Sequence, residues 1–254
     1  MPQNQIPGTM TSSFRARPTG AKENPTAAIA AVVHAHRSPG EPLHAMALRL
    51  GVSRIIEEPM SFEGGLFELS HGERIIKLNA ASPPNRKRFT LAHEIGHLLL
   101  GKPGLRSSCG SDHALERRCD AIAAELLMPT DEAVPFIKDL GKPSPEKLRT
   151  MASRFEVSLQ AAAYRVHRDL GLWKCFIGCW QRHPKIKTEW FVGYRRRWDR
   201  AEPDEHSLDY ALSSEGPVES KELWQRGPQA EPVWLNLLRL GAGSRVLGLV
   251  GFVN

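Results

Sequence analysis

The sequence predicts an α+β fold: a small antiparallel sheet and a group of helices, followed by a β-rich C-terminal module. Three observations point to it. Short β-type runs cluster between Val52 and Leu78, a train of amphipathic helical patterns fills 86–170, and aromatic residues alternate along strand-like segments after Gly171.

Residues 1–24 mix Pro, Gly, Ser, Thr, Gln and Arg without periodicity and read as a disordered tail. Order is expected from Asn24-Pro25, a cap followed by an Ala-rich helix carrying Ile29, Val32 and Val33. A second helix, Leu43 to Leu50, stops at Gly51. Arg54–Glu57, Gly65–Leu69 and Arg74–Leu78 then read as strands, with His71-Gly72 as a hairpin tip.

Pro83-Pro84 ends the sheet, and Arg86 to Leu100 reads as one helix closed by Gly101 and Pro103. Helices follow over Asp112–Met128, Thr130–Leu140, Pro145–Phe155 and Ser158–Leu170. Trp173–Trp180, Thr188–Tyr194 and Arg245–Val253 read as strands, separated by polar, Pro-bearing segments. This divides the chain into an α+β body over 25–140, a helix-turn-helix-like segment over 141–170 and a β-rich module of unassigned role over 171–254.

With 254 residues, 41% hydrophobic and 24% charged, the chain can bury a proper core. A net charge of +6 permits an acidic or nucleic-acid partner without demanding one. The four cysteines show neither zinc-ribbon nor secreted-disulfide spacing, so free thiols in a reducing compartment are expected. The N-terminus lacks an apolar signal region and no run reaches membrane-spanning length; a cytoplasmic location is the expectation.

The chemistry concentrates at His93-Glu94-Ile95-Gly96-His97. Histidines at i and i+4 share one helix face and can reach one cation at roughly 2.0–2.1 Å each. Glu94 is turned about 100° away, off the ligand face and suited to act as a general base on a water. The helix is apolar around these residues (Phe89, Leu91, Ala92, Ile95), so their polar groups need a partner.

A catalytic zinc wants a third protein ligand and leaves its fourth position open. The extended HExxHxxGxxH solution needs Gly and His where this chain has Leu100 and Pro103, and is excluded. A carboxylate on the next helix is the other solution. Glu116 is favoured, with Asp120 one turn on to accept the free ring N–H of a ligand histidine. Asp112, His113 and Glu125 are its rivals. Zinc is the default metal for this set.

The segment Arg88–Leu100 and the block Ala123-Ala124-Glu125-Leu126-Leu127-Met128-Pro129, in this order and at this distance, resemble the ImmA/IrrE family of bacterial metallopeptidases. That resemblance implies a gluzincin-like core, with His93, His97 and Glu116 as zinc ligands and Glu94 as the catalytic base. It also implies a helix-turn-helix repressor as protein substrate, whose cleavage derepresses stress-response or mobile-element genes. Arg118-Cys119-Asp120 stands where members commonly carry Glu-Ala-Asn, and Asp120 can do the orienting work of that Asn. The part after 171 does not match the sensor-like domain of the radiation-resistance members.

Two features suit a rival reading, a DNA- or protein-binding regulator with a structural or vestigial zinc site. Leu148–Val166 has a helix-turn-helix look with Arg165 and Arg168 exposed, but Glu156 sits where such turns prefer Gly, and Ala161-Ala162-Ala163 offers little to read bases with. DNA contact is therefore not favoured; helices completing the peptidase body are. The Tyr194–Trp198 run reads as a solvated strand edge. Tyr164 and His167 are weak candidates for stabilising an oxyanion and read better as structural.

Overall fold

A computed structural model describes residues 25–101, 113–182, 184–193, 203–226 and 229–252. The first part of the chain forms α1 (Pro25–His36), α2 (Leu43–Arg49), β1 (Val52–Glu58), β2 (Gly64–Glu68) and β3 (Arg74–Asn79). The helical stretch comprises α3 (Pro84–Leu99), α4 (His113–Leu127), α5 (Thr130–Leu140), α6 (Pro145–Arg154) and α7 (Leu159–Tyr164), the last running into a π-helical turn, Arg165–Asp169. The remainder is β4 (Phe176–Arg182), β5 (Ile186–Val192), α8 (Glu205–Ser213), β6 (Val218–Arg226), β7 (Gln229–Arg239) and β8 (Arg245–Phe252). The expected tail over 1–24 and the Tyr194–Trp198 run lie outside the described residues, as does Cys109.

The first sheet corrects an expectation. It is mixed, not antiparallel: the order is β1-β3-β2, with β1 parallel and β2 antiparallel to β3. The reason lies in the link from β1 to β2, which crosses the end of β3 instead of turning tightly. Asn79 ties that crossing down, donating from Nδ2 to Met60 O (2.9 Å) while its backbone N–H bonds Glu63 O (2.9 Å). β3 becomes the central strand, and its Ile75, Ile76 and Leu78 are buried.

The second sheet is antiparallel throughout, in the order β5-β4-β8-β7-β6. Side chains alternate between its faces. Phe176, Trp180, Val233, Leu235 and Val250 pack under α8 with Leu208 and Ala211. Ile177, Leu247 and Leu249 face the other way and join the core of α1–α7. One apolar cluster therefore runs across the change of character at residue 171. The strands β6 and β7 and helix α8 were not legible as such. The cap of α8 was a usable signal, since Asp204 Oδ1 accepts Ser207 N–H at 2.7 Å.

The helix-turn-helix-like pair is present, but α7 is turned inward: all of its residues are buried or half-buried, and Ala162 and Ala163 are sealed. Between the helices Glu156 takes φ 51°, a left-handed conformation unusual for a non-glycine residue. Arg88 of α3 holds this turn by donating to Phe155 O (2.7 Å) and Glu156 O (3.1 Å). Glu156→Val should lower stability by about 1–2 kcal/mol, because a β-branched side chain strains that backbone. Glu156→Gly should be neutral or mildly stabilising; chemical denaturation of the two variants checks the difference. No helix among the described residues is long and apolar enough to cross a membrane.

Candidate metal centre

Helix α3 begins at Pro84, whose fixed φ and missing N–H suit a first turn. Its inner face buries Leu91, Ala92, Ile95 and Gly96 against α4. At Gly96 the two helices touch: a Cβ there would lie 3.1 Å from Cys119 Cα and 3.2 Å from its carbonyl oxygen. This contact sets Glu116 and Asp120, one helical turn apart on α4, over the histidine pair. Gly96→Ala must push the helices apart and should cost about 1–3 kcal/mol. A melting curve reads that loss, and a weaker zinc affinity in the folded variant would show that the crossing spaces the ligands.

His93 Nδ1–H donates to Asp120 Oδ1 at 2.9 Å, which leaves Nε2 pointing at the other groups. His93 Nε2 lies 3.1 Å from Glu116 Oε2 and 3.2 Å from His97 Nε2, and His97 Nε2 lies 3.7 Å from Glu116 Oε1. Tetrahedral ligands at roughly 2.0–2.1 Å from zinc are about 3.3–3.4 Å apart. The three donors match that spacing, and all carry lone pairs that repel unless a proton or cation lies among them. The set fits zinc.

The electrostatics agree. Burial opposes charge on His93, yet the Asp120 hydrogen bond and the charges of Glu94, Asp120 and Glu116 hold its pKa above the ordinary histidine value. Burial and the neighbouring His93 push His97 below it. Glu94 is buried, and its Oε2 accepts the backbone N–H of Leu66 on β2 at 2.9 Å, so the edge strand anchors this carboxylate.

The rivals for third ligand fall elsewhere. His113 is exposed at the start of α4, and Asp112 lies outside the described residues. Glu125 points into the core, where it pairs with Arg165; both are almost fully buried. Arg165 also donates to Met128 O (2.8 Å) and Thr130 Oγ1 (3.0 Å), and Thr130 N–H returns a bond to Glu125 Oε1 (2.8 Å). The expectation that Arg165 is exposed is corrected: its guanidinium is drawn into the core by the Glu125 carboxylate and the Met128 carbonyl.

Sequence reasoning missed Cys119, whose sulfur lies with the ligand nitrogens of His93 and His97 in a group spanning no more than 4.8 Å. Its spacing of three residues from Glu116 was the available signal. Burial, then the charges of Glu116 and Glu94, push this thiol up to about 12. The Glu116 oxygens stand 3.1 and 3.7 Å from the two histidine nitrogens, whereas Cys119 would have to lose its proton to ligate. Cys119, Cys175 and Cys179 are all buried free thiols.

On the far side of Asp120 from the donor cluster opens a cleft of about 840 Å3, bordered by Phe89, Asp120, Tyr164, Trp190 and Arg245 among others. His167 does not reach it as a lining residue; its Nδ1 lies 2.9 Å from Trp173 O, tying the π-helical turn to the segment before β4.

Residues 47–167 match the model of the peptidase M78 family, described as the IrrE N-terminal-like domain. The chain is 33% identical over 134 residues to the radiation response metalloprotease IrrE of Deinococcus radiodurans, covering 50% of this chain and 40% of that protein. The Deinococcus deserti protein of the same name is also 33% identical over 134 residues, with 50% and 47% covered. Over residues 47–167 the chain is similar to the ImmA/IrrE family. It spans less than half the length of these curated relatives. The matched segment ends within the π-helical turn, before β4. A Mycobacterium tuberculosis transcriptional regulator shares the fold over more of the chain, with TM-score 0.53 at 12% identity over 91% of this chain and 88% of that one.

Proposed function

We propose that the chain is a zinc-dependent endopeptidase that cleaves a helix-turn-helix transcriptional repressor in the cytoplasm, derepressing stress-response or mobile-element genes. The convergence of His93 Nε2, His97 Nε2 and the Glu116 carboxylate within 3.1–3.7 Å of one another carries the reading. These three side chains would hold one zinc ion, and Asp120 would fix the His93 tautomer from behind. Zinc bound there supplies a Lewis acid that polarises the scissile carbonyl and acidifies water. Glu94 takes the proton from the attacking water and delivers it to the leaving amine. Its tie to Leu66 N–H keeps one oxygen oriented while the carboxylate works.

Metal analysis of purified protein tests the centre. One zinc per chain is expected, and Glu116→Ala should lower the affinity by at least about 100-fold, beyond what loss of an outer partner does. A wild type that takes up no zinc would overturn the mechanism. Incubation with a purified helix-turn-helix repressor should give zinc-dependent loss of the full-length band.

A further inference from the structure

The cleft beyond Asp120 lies between the helical body, which supplies Phe89 and Tyr164, and the C-terminal sheet, which supplies Trp190 of β5 and Arg245 of β8. At about 840 Å3 it is near the upper end of the roughly 300–1,000 Å3 typical of ligand sites, too large for a single side chain. Helix α1 begins at its rim: Thr26 Oγ1 donates to Asp169 O at 2.8 Å, and Asp169 lines the cleft. The chain before Pro25 therefore joins the body beside this opening.

The uncommitted charge of the cleft is negative. Each of its three arginines already faces an acid: Arg86 with Glu63 at 3.8 Å, Arg168 with Asp169 at 2.9 Å and Arg245 with Glu189 at 2.5 Å. Asp120 lines the cleft with its side chain 46% exposed, and only its Oδ1 is drawn to His93. Asp169 gives Oδ1 to Arg168, while its Oδ2 is buried and has no donor among the described residues. A buried carboxylate oxygen left undonated is unfavourable, so this rim favours a cationic N–H group brought to it.

The 24 residues before α1 carry matching groups. Arg15, Arg17 and Lys22 stand against a single acid, Glu23, and Phe14 adjoins the arginines. Lys22 lies four positions before Thr26, and an extended chain covers up to about 3.3–3.6 Å per residue, so Asp169 is within its reach and the arginines extend further. Tethering sets an effective concentration on the order of millimolar, so an intrinsic Kd of even about 0.1 mM fills the cleft in most molecules. We propose that residues 1–24 dock in this cleft, with Phe14 against the Tyr164 and Trp190 walls and the cationic side chains at Asp120 and Asp169. Asp120 also holds His93, so the docked segment meets the outer partner of the proposed centre. The contact goes beyond the peptidase reading and does not rest on it.

A fluorescein-labelled peptide of residues 1–24 reads the contact by fluorescence polarisation on the full chain. Arg15→Glu, Arg17→Glu and Lys22→Glu together weaken the chain's own segment and alter no residue of the body. The labelled peptide should bind this triple variant about tenfold or more tighter than wild type, whose own segment competes for the cleft. The same peptide carrying the three Glu changes should bind the triple variant at least about tenfold more weakly, a difference that shrinks as salt rises. Hydrogen exchange then places the contact: amides of α7 and β5 should exchange more slowly in wild type than in the triple variant, at any protein concentration. Equal affinity for the two chains, no binding, an equally bound charge-reversed peptide, or protection lying elsewhere would overturn the proposal. Protection that grows with protein concentration overturns it too, because the segment then sits on a second copy.

Discussion

On the proposed endopeptidase reading, Glu94→Gln should leave zinc content unchanged and lower kcat/KM for cleavage of the proposed repressor substrate by about 100- to 10,000-fold, the usual contribution of a general base. Gln matches Glu in shape, and its side-chain oxygen can still accept Leu66 N–H, so the edge strand stays attached. What disappears is the ability to take a proton. Because Glu94 is buried and is not one of the three converging donors, the loss should be confined to the chemical step. Single-turnover cleavage together with metal analysis reads both halves. A fully active Gln variant removes Glu94 from the role of base.

The largest stability effect is expected far from that chemistry, at Glu125→Ala. Glu125 and Arg165 are almost completely withdrawn from water and satisfy each other with help from Thr130 and Met128. Taking away the carboxylate leaves a guanidinium in the core with only two neutral oxygens, Met128 O and Thr130 Oγ1, as acceptors. Breaking such a pair from one side costs about 3–5 kcal/mol, a large share of the roughly 5–15 kcal/mol that keeps a domain folded. Replacing both residues by Met should be far milder, because no charge is then stranded. Urea denaturation of the single and double variants checks this. A single variant as stable as wild type would show that Arg165 finds another partner.

The two results explain why some residues were legible and others not. His93, His97, Glu116 and Asp120 sit on two helices at i, i+4 spacings, and short periods along one chain survive in a linear reading. Glu125 belongs to the same helix, and a period could say only that it faces away from Glu116. Its partner Arg165 is forty positions further on, beyond any local pattern. The mixed sheet has the same cause. Each strand was visible from its own residues, but its neighbour was decided by Asn79 gripping a crossing loop. Cys119 looked like an inert thiol because its place under the histidines depends on Gly96 letting α4 come close. Helix α8 and strands β6 and β7 were obscured by polar, proline-bearing sequence around them.

The core that crosses residue 171 has a consequence for how such a protein can diversify. Trp173, Ile177, Leu247 and Leu249 belong to the same apolar core as helices α1–α7. The C-terminal sheet is therefore not a cassette that recombination can exchange whole. A foreign sheet would have to bring matching side chains on one face, and a graft cut at the sequence boundary would leave the α6–α7 surface bare. Divergence on the two sides of that boundary should be correlated, residue against residue, across the shared wall.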